Sequence, residues 1–229
     1  MTGADLLALL PVAIVGALLG LDVVSFPQAM ISRPIVAATL GGALAGDITS
    51  GLIAGAVLEM IALEMLPVGA SRYPEWGTAS VVGGALAAGF YTLPGAAVVA
   101  IFASIATAWA GGWSMYGLRR LNGIWARRDR GQLEAGAPGA AASLQLRGLS
   151  ADLLRGFVLT AIALLIWTPI TSWVLQRWSL DRTLSHVALA AMAAAVAGSA
   201  AWRVSQGVKW ARWCFVGGLA IGFATLMLR

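Results

Sequence analysis

Arg33, Asp47, Glu59 and Glu64 stand within a stretch otherwise apolar enough for a lipid bilayer. A charge at membrane depth costs about 2.5–3.5 kcal/mol even on insertion-based scales. Four charges between residues 33 and 64 therefore call for partners, a polar path or a ligand. Just upstream, Asp22 closes an apolar run and Gln28 follows Pro27, a residue that interrupts helices. A carboxylate accepts two or more O–H hydrogen bonds, and an amide both donates and accepts. That set at a helix break suits sugar hydroxyls. Glu59 lies mid-segment, where charge is costliest, and joins Asp22 and Gln28 as the candidate substrate contacts. Glu64 is five residues further on, about 140° around a helix, so it leaves Glu59's face. With Pro67 three residues later, Glu64 is expected at a helix end near water. Asp47, followed by Thr49 and Ser50, is either a helix N-cap or a ligand. Arg33, before Pro34, is either a head-group anchor or a counter-charge to an acid such as Glu59. Arg33, Asp47 and Glu64 thus form a supporting set.

Other chemistry is missing from the sequence. It has no Gly-rich nucleotide loop with its lysine, no nucleophile–histidine pair and no metal-ligand cluster. Cys214 is the sole cysteine, which rules out an intrachain disulfide. His186, the sole histidine, sits beside Ser185 in a connecting segment and reads as solvated or capping. No cofactor and no catalytic residue of the chain's own are expected.

The elements that must position these groups are helices in lipid. Of 229 residues, 59% are hydrophobic and 11% charged, with a mean hydropathy of +0.83. Soluble domains carry about 25% charged residues. The chain reads as an all-α integral membrane protein. Apolar runs at 6–21, 35–45, 52–68, 81–91, 93–113, 153–175, 187–201 and 215–228 predict seven to eight membrane elements. The first is expected to stay in the protein, because no basic region precedes it. Run 35–45 is shorter than the roughly 20 residues a crossing needs. It is expected to be a half-helix or re-entrant element broken at 46–51. Irregular backbone at depth survives only where it is buried or lines a cavity, and interrupted apolar segments point to a transporter's binding site. Gly42 with Gly46, and Gly51 with Gly55, are small-residue pairs suited to close helix crossing.

Charge divides the chain. Residues 1–118 hold two basic against six acidic side chains, net −4, while residues 119–229 hold thirteen against four, net +9. The excess begins at Arg119, Arg120, Arg127 and Arg128, directly after an apolar run, which marks a cytoplasmic connection. These four arginines form a candidate docking surface for an acidic protein partner or lipid head groups, not for nucleic acid. Three regions result: 1–117, a membrane region with the site; 118–150, a basic amphipathic segment lying at the interface, with a flexible linker at 131–143; and 151–229, further membrane helices.

Over residues 15–90 the chain resembles the IIC membrane subunits of the mannose–fructose–sorbose family of the bacterial phosphotransferase system. The likeness rests on Leu21 and Asp22 with Gln28, on Ser32-Arg33-Pro34, on Gly46-Asp47 followed by Gly51-Leu52, on the 58–63 segment LEMIAL, and on Pro67 with Gly69-Ala70. The C-terminal third carries no such likeness, and its Arg- and Trp-rich ending departs from the family's pattern. The resemblance implies an elevator-type subunit of an oligomeric sugar transporter in the bacterial cytoplasmic membrane. It also implies a IID membrane partner, with cytosolic IIA and IIB proteins supplying phosphate. Two other readings stay open. In an ion-coupled secondary transporter, Asp22 and Glu59 would bind protons or sodium. In a non-transporting scaffold, the C-terminal third would have lost the transport role.

Overall fold

The computed structural model describes residues 3–23, 25–64, 73–179, 181–205, 207 and 210–227. Every regular element among them is helical, as a hydrocarbon solvent demands of backbone N–H and C=O groups. α1 (Gly3–Asp22) leads to a loop and then to two short helices, α2 (Pro34–Leu44) and α3 (Ile48–Leu63). α4 (Trp76–Gly89), α5 (Ala96–Arg128), the single-turn α6 (Arg130–Glu134), α7 (Ala140–Leu175), α8 (Arg182–Ser205) and α9 (Ala211–Met227) follow. Three stretches, Ala96–Arg128, Ala140–Leu175 and Arg182–Arg203, are long and apolar enough to cross a membrane. Four shorter apolar helices, Leu9–Asp22, Pro34–Leu44, Ile48–Leu63 and Trp213–Thr225, accompany them. The mixture of full-length and short apolar helices is the one expected.

α2 and α3 form the anticipated interrupted hairpin. At 1.5 Å per residue they measure about 17 Å and about 24 Å, against a hydrocarbon core of about 30 Å. Pro34 opens α2, where a missing N–H costs nothing. Gly46 turns the chain at φ +100°, and Asp47 caps α3. The glycine pairs mesh as predicted, with one exception. A Cβ on Gly42 would stand 2.7 Å from the Gly51 Cα, and one on Gly55 would stand 2.9 Å from the Pro34 carbonyl oxygen. Gly46 is not at the crossing and serves the turn alone.

α4 is the centre of the bundle. Every residue from Trp76 to Ala88 is buried, and α1, α2, α3, α5 and α7 all pack on it. Its small residues permit this. A Cβ on Gly84 would collide with the Ala38 carbonyl of α2. Gly84→Val is therefore expected to cost about 3 kcal/mol or more, the upper range for overpacking. Thermal unfolding of the detergent-solubilised protein would read this as a marked drop in midpoint. Gly89→Val, where a Cβ meets nothing within 4 Å, is the control.

Three expectations change here. The apolar run at 93–113 and the basic segment after it are one unbroken helix, α5. At about 50 Å it is longer than a hydrocarbon core is thick, and its arginines stand toward its C-terminal end rather than in a separate element. Segment 131–143 is not an open linker. α6 and the positive-φ residues Gly136 and Gly139 fold it into a turn, which ion pairs from Arg130 to Glu134 and from Arg147 to Asp129 brace. Glu64 closes α3 as expected but does not face water. Its side chain is only 9% exposed, because Arg203 at the end of α8 covers it at 2.5 Å. Arg203 also donates to the Glu64 carbonyl at 3.2 Å, a cation placed at a helix C-terminus. Ile162, Leu165 and Ile166 of α7 face outward, the inverse of a soluble surface and the natural state of a lipid-facing helix.

Candidate functional site

A cavity of about 380 Å³ opens where the end of α1, Val23, the loop at 25–33, the start of α2, the end of α3 and the segment before α4 meet. Asp22, Gln28, Ser32 and Arg33 supply its polar lining, and Tyr73, Pro74 and Trp76 an aromatic and apolar wall. Two of the three predicted contacts, Asp22 and Gln28, thus share one concavity with Arg33.

Asp22 is the last residue of α1 and is 2% exposed. Its carboxylate accepts from the Ala29 N–H at 2.6 Å, from the Ser32 N–H at 2.9 Å and from the Ser32 hydroxyl at 2.8 Å. These bonds gather a loop in which Gln28 and Met30 both adopt φ +60°. Side chains other than glycine rarely take that conformation and pay roughly 1–2 kcal/mol for it. Such backbone persists only where its surroundings impose it. Asp22 is thus the organiser of the cavity loop as well as part of its lining. The helix break anticipated at Pro27 falls five residues earlier, at Asp22 itself.

Glu59 stands behind the lining rather than in it. It pairs with Arg33, and its other oxygen accepts the Ile35 N–H at 3.3 Å. Because Pro34 has no N–H, Ile35 offers the first free donor of α2, and Glu59 caps it from the facing helix. Of the alternatives for Arg33, the structure takes the counter-charge. Asp47 takes the capping role, accepting from the Thr49 and Ser50 N–H groups at 3.2 Å each. It sits at the turn between α2 and α3, and Asp47 and Glu64 are both outside the cavity lining.

The four arginines separate as well. Arg120, Arg127 and Arg128 are exposed. Arg119 is half-buried and donates to the Tyr73 hydroxyl at 2.7 Å, its guanidinium 5.1 Å from the ring centroid. It stands behind Tyr73, which lines the cavity, and is not itself in the lining. His186 is exposed and lies within α8 rather than in the connecting segment expected, because the helix already starts at Arg182.

A second layer of charge went unseen in the sequence. Asp152 and Arg155 of α7 have side chains 1% and 9% exposed and pair at 2.8 Å. Asp152 also accepts the Ser25 hydroxyl, which fastens the start of the cavity loop to α7. Arg155 reaches Ser114 of α5 at 3.1 Å. Glu75, fully buried, caps α4 through the N–H and hydroxyl of Thr78. The available signal was an acid and a base three residues apart at the entry to a long apolar run. The regional charge tally absorbed both residues into a basic excess.

Known proteins share this architecture. The family model described as PTS system sorbose-specific IIC component matches residues 6–201. Over 50 residues the chain is 44% identical to the PTS system mannose-specific EIIC component of Escherichia coli K12, covering 22% of this chain and 19% of that protein. Over 69 residues it is 38% identical to the fructose permease IIC component of Bacillus subtilis 168, covering 30% and 25%. The matched segments span about a fifth to a quarter of these relatives' lengths. A solved membrane-protein structure superposes with a TM-score of 0.67 at 20% identity, covering 97% of this chain and 88% of the other. The mannose transporter ManYZ in complex with microcin E492 follows at 0.59 and 19%, with the same coverage. These likenesses establish the fold. The family match also runs far past residue 90, through α7 and into α8, so most of the C-terminal third shares the pattern that the sequence showed only in the first part. With the match spanning residues 6–201 of 229, the chain belongs to the PTS system sorbose-specific IIC component family.

Proposed function

We propose that this chain is the sugar-translocating permease subunit of a phosphotransferase complex in the bacterial cytoplasmic membrane. The observation that carries the reading is the cavity at the end of α1. It sets Asp22, Gln28 and Arg33 opposite Tyr73 and Trp76 within 380 Å³, at the lower end of the roughly 300–1,000 Å³ range of small-ligand sites. A hexose needs both kinds of lining: acceptors and donors for its hydroxyls and a flat apolar surface for its ring face. Asp22 and Gln28 contact the sugar directly. Arg33 donates to it, and Glu59 acts by holding Arg33 in place. The chain's one histidine lines no part of this cavity, so phosphate comes from separate IIA and IIB phosphocarriers. A IID membrane subunit completes an oligomeric unit that moves the sugar-holding part against a scaffold. Regions 1–117, 118–150 and 151–229 then serve as site-bearing, docking and supporting parts.

The test is phosphoenolpyruvate-dependent phosphorylation of mannose, fructose and sorbose by membranes holding this chain, its IID partner and the phosphocarriers. Uptake that follows a pH gradient and needs no phosphoenolpyruvate would replace this reading with the ion-coupled one.

The exposed Arg120, Arg127 and Arg128 are placed to meet the acidic face of a IIB protein. Reversing Arg127 and Arg128 to glutamate is expected to raise the half-saturating IIB concentration about tenfold at low salt. The effect should shrink as added salt screens the attraction over a Debye length of about 10 Å at 0.1 M. Unchanged IIB dependence removes these residues from the docking surface.

A further inference from the structure

Arg119 does not act with its basic neighbours. Ala108, Gly112 and Arg119 are four and seven residues apart on α5 and so fall on one stripe of the helix. The segment before α4 lies along that stripe. The Glu75 N–H donates to the Ala108 carbonyl at 2.9 Å. The Tyr73 carbonyl rests on Gly112 so closely that a Cβ there would collide with it. Two turns further on, Arg119 meets the far end of the same tyrosine, with its ring underneath the guanidinium and its hydroxyl at 2.7 Å. The main chain and ring tip of Tyr73 are thus both held by α5, while the residue lines the cavity. A guanidinium suits this task because one side chain can both attract the electron-rich ring and donate to its hydroxyl.

We infer that Arg119 is a positioning residue for the sugar cavity: it fixes the Tyr73 ring as the wall against which the apolar face of the sugar lies, and it takes no part in docking a phosphocarrier. The inference deepens the sugar-permease reading and rests on it. It also makes α5 the element that joins the cavity wall to the exposed basic end where a carrier would bind.

Two measurements on the assembled complex test it. The first is titration of mannose, fructose and sorbose, with phosphorylation followed as a function of phosphocarrier concentration. Arg119→Gln is expected to weaken affinity for the accepted sugar about tenfold and to leave the half-saturating carrier concentration within twofold. Tyr73→Phe removes the hydroxyl acceptor and should give a loss of the same kind. The double variant should be no worse than the poorer single one. The second needs no sugar. Ala62, which also lines the cavity, is replaced by cysteine in a Cys214→Ser chain and labelled with a maleimide. Arg119→Gln should change its labelling rate at least threefold, and Arg127→Gln should not. If Arg119→Gln raises the carrier requirement while sugar affinity and labelling stay as they were, Arg119 is a docking residue and the inference fails. If the parent complex binds none of the three sugars yet Arg119→Gln still alters labelling, the sugar reading fails and the positioning role stands.

Discussion

Asp22→Ala is expected to reduce sugar affinity at least about a hundredfold. The substitution removes one acceptor from three donors, the Ala29 N–H and both groups of Ser32. Hydrogen bonds to a charged group contribute about 1.5–3 kcal/mol each, and a factor of one hundred is about 2.7 kcal/mol. The loss of loop order alone can therefore account for the effect, before any direct contact with the sugar is counted. The loop that holds Gln28 and Met30 at positive φ would lose the bonds that gather it, and the Gln28 amide would shift from its place in the cavity lining. Asp22→Asn retains one carbonyl oxygen and turns an N–H₂ toward former donors, so it should lie between the parent and Asp22→Ala. The thermal midpoint should move little by comparison, because the loop lies outside the packed centre around α4. Sugar titration and thermal unfolding on the same preparations separate the two effects. Affinity retained within twofold in Asp22→Ala would remove Asp22 both as loop organiser and as ligand.

For Asp152→Ala the large effect should fall on stability. Arg155 would remain 91% buried in α7 with its main counter-charge gone. Breaking a buried pair by deleting one member costs about 3–5 kcal/mol, whereas replacing both members by apolar residues is often neutral. The expected result is poor recovery of folded Asp152→Ala protein from membranes and a sharply lowered thermal midpoint. Asp152→Leu with Arg155→Met should recover most of the loss. The recovered double variant would also lack the bond from Ser25 to Asp152, so its cavity loop should hold sugar less well than the parent despite near-normal stability. A single variant as stable as the double one would show that the pair is not shielded from water.

Local rules made part of the site legible. Asp47 caps α3 through donors two and three residues away, a relation that spacing encodes directly. Asp22 and Gln28 were recoverable because a carboxylate and an amide flank a predicted helix break. Glu59 reads from the sequence as a sugar contact or as the partner of an arginine such as Arg33, and only packing supplies that arginine, 26 residues earlier. Arg119 was grouped with Arg120, Arg127 and Arg128 because charge runs read as surfaces. Its partner Tyr73 lies 46 residues away across a helix packing. Asp152 is masked twice over: its local pair with Arg155 disappears into a regional basic excess, and its other partner, Ser25, is 127 residues distant.

What the sequence by itself determined is the solvent and its consequences. An apolar chain in lipid must satisfy its backbone internally, so it is helical, and its few charges must each be met by something. Short apolar runs split by Gly46 and Asp47 announced a broken hairpin for the same reason. Which charge meets which was decided only by the tertiary structure. Pairing at a distance depends on how small residues such as Gly42, Gly51 and Gly84 let α2, α3 and α4 close on one another, and no spacing along the chain records that approach. Packing therefore turned a row of costly charges into distinct roles. Asp22 gathers the cavity loop, Glu59 holds Arg33, Glu64 is covered by Arg203, and Asp152 ties the loop to α7.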